Sequence, residues 1–160
     1  LNTVSGINQL NTTMQSLLSN LQVSQSMQAA SLIGRSVLVD SPAVSLQQGQ
    51  AAMAVQLADA VDSLKLTIVN AAGQTVRSLD AGAQAAGLHN FAWDGLSDSG
   101  ATAPDGTYSL QVQASRNGQA VTATPLAVGQ VDSVSLSGGA VRLSTQQLGE
   151  IALADVRQVR

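Results

Sequence analysis

Residues Gly87–Tyr108 read G-L-H-N-F-A-W-D-G-L-S-D-S-G-A-T-A-P-D-G-T-Y. This stretch holds every aromatic residue of the chain, Phe91, Trp93 and Tyr108, and its one histidine, His89. Alternation puts Phe91 and Trp93 on one face of a strand that Asp94-Gly95 ends. Asp105-Gly106 makes a second turn, after which T-Y-S-L-Q-V-Q-A-S (107–115) sets Tyr108, Leu110 and Val112 on one face. Aromatic side chains carry the largest apolar area a core can bury. A chain so poor in them that gathers all of them around two Asp-Gly turns predicts a small β-sandwich. Phe91, Trp93 and Tyr108 are its expected core, and Asp94, Gly95, Asp105 and Gly106 its structural turns.

The flanks extend the pattern. Ser63–Leu79 (S-L-K-L-T-I-V-N-A-A-G-Q-T-V-R-S-L) reads as a hairpin: Leu64, Leu66 and Ile68 share a face, and Asn70–Gly73 turns the chain. Ala51–Leu57 is a further strand, and Asn117-Gly118 is a strong hairpin signal. Residues 51–125 are therefore expected to form an immunoglobulin-like sandwich. Beyond it, Gly129–Leu136, Ala140–Leu143, Gly149–Leu153 and Asp155–Val159 are short strands, with a turn at Ser137–Gly139. Ahead of it, S-L-I-G-R-S-V-L-V-D (31–40) is strand-like, with Val44–Leu46 as a partner strand. Strand counts favour a discontinuous small barrel from 31–50 and 126–160, with the sandwich inserted in it.

Residues 1–34 carry no charge; the first charged residue is Arg35. Ile7, Leu10, Met14, Leu17 and Leu21 step by 3, 4, 3 and 4, the rhythm of a helix with a narrow apolar stripe. Such a helix runs about 30 Å, and Gly6 with many Asn, Ser and Thr residues lowers its propensity. Residues 1–30 are thus expected to be an amphipathic helical or flexible segment, helical when packed. The stripe lies on the chain's own domain, joins a second copy or a partner, or belongs to a disordered arm. The missing charge favours a partner, because solvated helices usually carry Glu and Lys on the outer face.

Composition narrows the function classes. Of 160 residues, 11% are charged, where roughly 25% is ordinary. The surface must be built from Gln, Ser, Thr and Asn, and it suits packing against other protein. The net charge of -3, one lysine (Lys65) and scattered arginines argue against a nucleic-acid partner. Without cysteine there is no disulfide, thiolate zinc site or cysteine nucleophile. No apolar run is long enough for membrane insertion. The N-terminus lacks the features of a Sec signal, and a start at Leu1 reads as a fragment or processed form.

Catalytic, cofactor and metal residues are not expected. His89 is the one candidate base and has no G-x-S-x-G elbow, since Gly95–Gly100 (G-L-S-D-S-G) is one residue too long. Glu150 is the one glutamate, so paired glutamates are out. Asp94, Asp98 and Asp105 do not follow calcium-loop spacing and sit where turns want them. An aromatic cage for methylated lysine cannot be built in 31–50 or 126–160, which contain no Phe, Trp or Tyr.

Several segments together resemble one family. These are L-N-T-V-S-G-I-N-Q-L-N (1–11), L-I-G-R-S-V-L-V (32–39), V-N-A-A-G-Q-T-V-R (69–77), G-L-H-N-F-A-W-D-G (87–95), P-D-G-T-Y (104–108), G-Q-V-D-S-V (129–134) and I-A-L-A-D-V-R-Q-V (151–159). In this order they resemble the bacterial flagellar hook-assembly family, also called hook-capping or basal-body rod modification proteins. The resemblance implies a fibronectin/immunoglobulin-like domain inserted into a Tudor-like barrel. It implies a non-enzymatic cap that self-associates at the distal end of the rod and hook and directs addition of hook subunits. It implies passage through the flagellar type III export apparatus. Members also carry an N-terminal segment rich in Gln, Asp and Pro that this sequence does not show, so the fold is expected here and the full activity is not. The competing expectation is an accessory module of a secreted protein that binds glycan or protein through a sandwich face.

Overall fold

The computed structural model describes residues 2–159 and shows a mostly-β chain behind one N-terminal helix. Helix α1 spans Asn2–Ala30. The strands are β1 (Ser36–Asp40), β2 (Ala43–Leu46), β3 (Ala51–Leu57), β4 (Ser63–Val69), β5 (Thr75–Asp80) and β6 (Gly87–Trp93). They continue with β7 (Gly106–Arg116), β8 (Gln119–Ala120), β9 (Ala123–Ser137), β10 (Ala140–Thr145), β11 (Gly149–Ala152) and β12 (Val156–Val159).

Two sheets result. One runs β11-β10-β9-β1-β12 and curls into a half-barrel, with β3 and then β6 joined beside the first part of β9. The other runs β2-β7-β4-β5, with β8 folded back on β7. The faces of β3 and β6 pack across the second sheet to make the sandwich. Its core is aliphatic, with Leu46, Met53, Leu57, Leu64, Leu66 and Ile68 all buried, and the aromatic cluster sits among them. Trp93 and Tyr108 meet edge-to-face at 5.0 Å and 83°, an arrangement aromatic quadrupoles favour. Phe91 is half-buried and packs against the same core. Each polar tip finds a carbonyl: Trp93 Nε1 donates to Leu96 O at 2.8 Å and Tyr108 Oη to Pro104 O at 2.6 Å.

Two placements differ from the sequence reading. Val44–Leu46 does not partner the 31–40 strand; β2 pairs with β7, with Val44 opposite Tyr108. Ser41-Pro42 turns the chain out of the half-barrel, and Val44 and Leu46 find their burial against the sandwich. The boundary near 125 is also not a break, because β9 starts at Ala123 and runs for 15 residues. Its first part pairs with β3, its middle with β1 and its last part with β10. Pro125 is tolerated in it because the missing N–H would face the side where β1 has already ended. The Pro125 carbonyl takes the Ser41 N–H at 3.3 Å.

The half-barrel has its own small core of Val37, Val131, Val141 and Leu143. The end of α1 plugs it: Ala29 is fully buried there and Leu32 packs beside it. A 3₁₀ turn at Leu153–Asp155 carries the chain from β11 to β12 on the far edge. Among the described residues no ladder closes β11 onto β12.

Candidate functional site

Helix α1 is 29 residues long, about 44 Å, longer than the apolar stripe alone predicts. Four of its hydroxyls bond within the helix. Thr12, Thr13, Ser16 and Ser26 each donate to the carbonyl four residues back, at 2.8–3.0 Å. Such bonds to the carbonyl four back fit a helix but do not strengthen it, so packing must supply its stability. Contact with the body is confined to the C-terminal end. Gln22, Ser26 and Ala29 form that face, and Gln22 Nε2 donates to Gly139 O at 3.3 Å.

The apolar stripe faces elsewhere. Ile7, Leu10, Met14, Leu17 and Leu21 are 56–69% exposed. At 3.6 residues per turn, their row lies roughly a quarter turn round the helix from the docked face. The stripe is therefore open along its whole length, including Leu21 beside the body. Leu18, also exposed, widens the row. It falls outside the strict heptad rhythm but belongs to the broader stripe of a surface helix. Water-exposed apolar rows of this kind mark interaction surfaces, and a low-propensity helix gains most of its stability from packing.

The aspartates of the aromatic stretch hold backbone. Asp94 Oδ1 accepts the Leu96 N–H at 3.1 Å, and Asp98 Oδ1 accepts that of Ser78 at 3.1 Å. Asp105 accepts two N–H groups, from Gln48 at 2.8 Å and Gly49 at 3.1 Å. Gly95, at φ 70°, lies so close to the 47–50 turn that a Cβ would stand 2.9 Å from Gly49 O. Gly106 opens β7. His89 Nε2 lies 2.7 Å from the Ala85 carbonyl and donates to it. Among the described residues no group of three His, Cys, Asp or Glu is arranged to hold a metal ion. Among the described residues no helix is long and apolar enough to cross a membrane.

Known proteins share this design. The family model described as the FlgD Ig-like domain matches residues 41–118, a span that takes in β2 as the strand pairing does. The basal-body rod modification protein FlgD of Escherichia coli (strain K12) is 36% identical over 167 residues, covering 99% of this chain and 72% of that protein. Its counterpart in Salmonella typhimurium is 34% identical over 169 residues, with 99% and 72% covered. The crystal structure of FlgD from Xanthomonas campestris, presented as giving insights into the hook capping essential for flagellar assembly, is 30% identical. It superposes with a TM-score of 0.77 over 85% of this chain and 99% of that one. FlgD from P. aeruginosa, also 30% identical, gives 0.69 over 81% and 98%. An Ig-like module set in a half-barrel, together with identity above a third across nearly the whole chain, shows that this protein belongs to the FlgD family.

Proposed function

We propose that this chain is a non-enzymatic scaffolding cap at the tip of the growing flagellar hook, where it is required for assembly of hook subunits. The observation that carries the reading is the open apolar row of α1 on a member of this family. The row joins copies into a cap oligomer, and the β-body forms the plate over the growing end. The 31–50/126–160 and 51–125 units act as one body, because β9 pairs with β3 of the sandwich and with β1 and β10 of the half-barrel. A cap must hold while subunits pass beneath it. Polar, weakly charged contacts that exchange suit that task better than a dry core-like interface, and 11% charged residues supply such a surface. Its partners are hook subunits and the distal rod, and it reaches them through the flagellar export apparatus.

Sedimentation velocity tests this reading. The chain is expected to form oligomers as concentration rises and to co-sediment with purified hook subunits. A monomer at every concentration that never binds hook subunits would remove its support. The glycan-binding alternative is not favoured, because Trp93, the aromatic it would need on the surface, is 2% exposed.

A further inference from the structure

A cleft of about 760 Å³ opens where β3 and β9 separate. Their ladder runs from Leu57 opposite Ala123 to Met53 opposite Ala127 and stops. Beyond that point β3 keeps only its pairing with β6, through Ala51 opposite Trp93. On the same side of β9, β10 begins pairing only at Val131. Residues 128–130 therefore have β1 on one side and no strand on the other. A side chain stands in for the missing strand: Gln147 Oε1 accepts the Gln130 N–H at 3.0 Å.

The opposite wall is the tight turn Gln47–Gln50, closed by reciprocal backbone bonds of 2.9 and 3.0 Å. Gln48 sits at φ 53°, a left-handed conformation. A non-glycine residue holds it only when its surroundings impose it, and such positions cluster at functional sites. Two features impose it here: the Asp105 carboxylate on the Gln48 and Gly49 N–H groups, and the close approach of Gly95 to Gly49. The two Asp-Gly motifs of the aromatic stretch thus fix a wall of the cleft.

The chemistry of the cleft is that of amides. Gln47, Gln48, Gln50, Gln130 and Gln147 line it, each offering a donor and an acceptor. Arg77 and Asp94 are the charged residues among the lining, one of each sign, so the site has no excess charge with which to select an ion. Arg77 Nε is buried without a hydrogen-bond partner, while Nη1 donates to Ser97 O at 3.3 Å and lies 4.0 Å from Asp98.

We propose that this cleft receives an extended, uncharged polypeptide segment of a second protein. The segment adds as a short strand beside residues 128–130, between β3 and β10, and displaces the Gln147 amide. Three residues at strand rise span about 10 Å. Main-chain bonds supply the affinity, as when peptides extend a sheet, and neutrality is the complementarity. The proposal stands independently of the cap reading.

The test is a panel of peptides about ten residues long, enough for a strand, made of Asn, Gln, Ser, Thr and Val. Matched peptides carry two Asp or two Lys. Binding to the whole chain is followed by backbone amide shifts. Neutral peptides are expected to bind at sub-millimolar concentration and to shift Ala51, Ala52, Val128 and Gln130. The exposed substitutions Gln50→Glu and Gln130→Glu should weaken them about tenfold, with the rest of the spectrum unchanged. Gln147→Ala should act in the opposite direction and strengthen binding, because it frees the Gln130 N–H. Three results would each overturn the proposal: no neutral peptide binding, charged peptides binding equally well, or shifts confined to α1 or another surface.

Discussion

Trp93 concentrates the residue-scale energetics. Its ring fills the sandwich against Tyr108, and its N–H is satisfied by Leu96 O. Trp93→Ala should cost about 3–5 kcal/mol in chemical denaturation, a large share of the stability of an ordinary domain. Tyr108→Phe keeps the ring and loses only the bond to Pro104, so about 1 kcal/mol is expected. Gly95→Ala combines a left-handed φ with a backbone contact no side chain can relieve. It should destabilise by about 1–3 kcal/mol, whereas Gly100→Ala, with open space around its Cβ position, should suffer only the φ penalty. A Gly95→Ala variant as stable as the parent would show that the 47–50 turn is not fixed from that side. The three aromatics and the two Asp-Gly turns are readable in the sequence because composition isolates them. What Asp105 holds is not readable, since Gln48 and Gly49 lie more than fifty positions away.

At the scale of elements, alternation and turn residues mark nearly every strand, and the exceptions have physical causes. Val44–Leu46 alternates equally well for either sheet, so only the tertiary partner decides that it joins β7. Pro125 looks like an interruption, and it ceases to be one only because β1 ends beside it. The edge of β5 is covered by a device spacing alone does not reveal. The 97–98 segment lies along it, with Asp98 N bonding Val76 O and Asp98 Oδ1 accepting from Ser78 N. Covered edges resist pairing with other chains. Helix α1 was readable as a stripe, but its exposure was not, because a heptad rhythm does not say what it faces. Leu10→Asp with Leu17→Asp should leave the stability of the β-body within about 0.5 kcal/mol and abolish self-association in sedimentation. Loss of β-body stability in that variant would mean that the row packs on its own chain.

For the whole molecule, the sharing of β9 is decisive. The β3–β6 layer of the sandwich and the half-barrel are parts of one hydrogen-bonded sheet, and the second layer packs on that one, so they should unfold together. Trp93 fluorescence, which reports the sandwich, and a methyl resonance of Leu143, which reports the half-barrel, should give coincident transitions, the signature of two-state behaviour. Separate midpoints would show two independent units. On the proposed cap reading, a single rigid body would serve as a plate that must not deform as subunits pass beneath it, and the open row of α1 would be the joint between copies. The central claim is that this protein organises polymerisation at the hook tip. Electron microscopy of basal bodies from cells lacking the gene, with hook protein assayed in the medium, tests it most directly. Basal bodies with rods but no hooks, together with hook subunits released into the medium, are the predicted result; normal hooks on those basal bodies would contradict it.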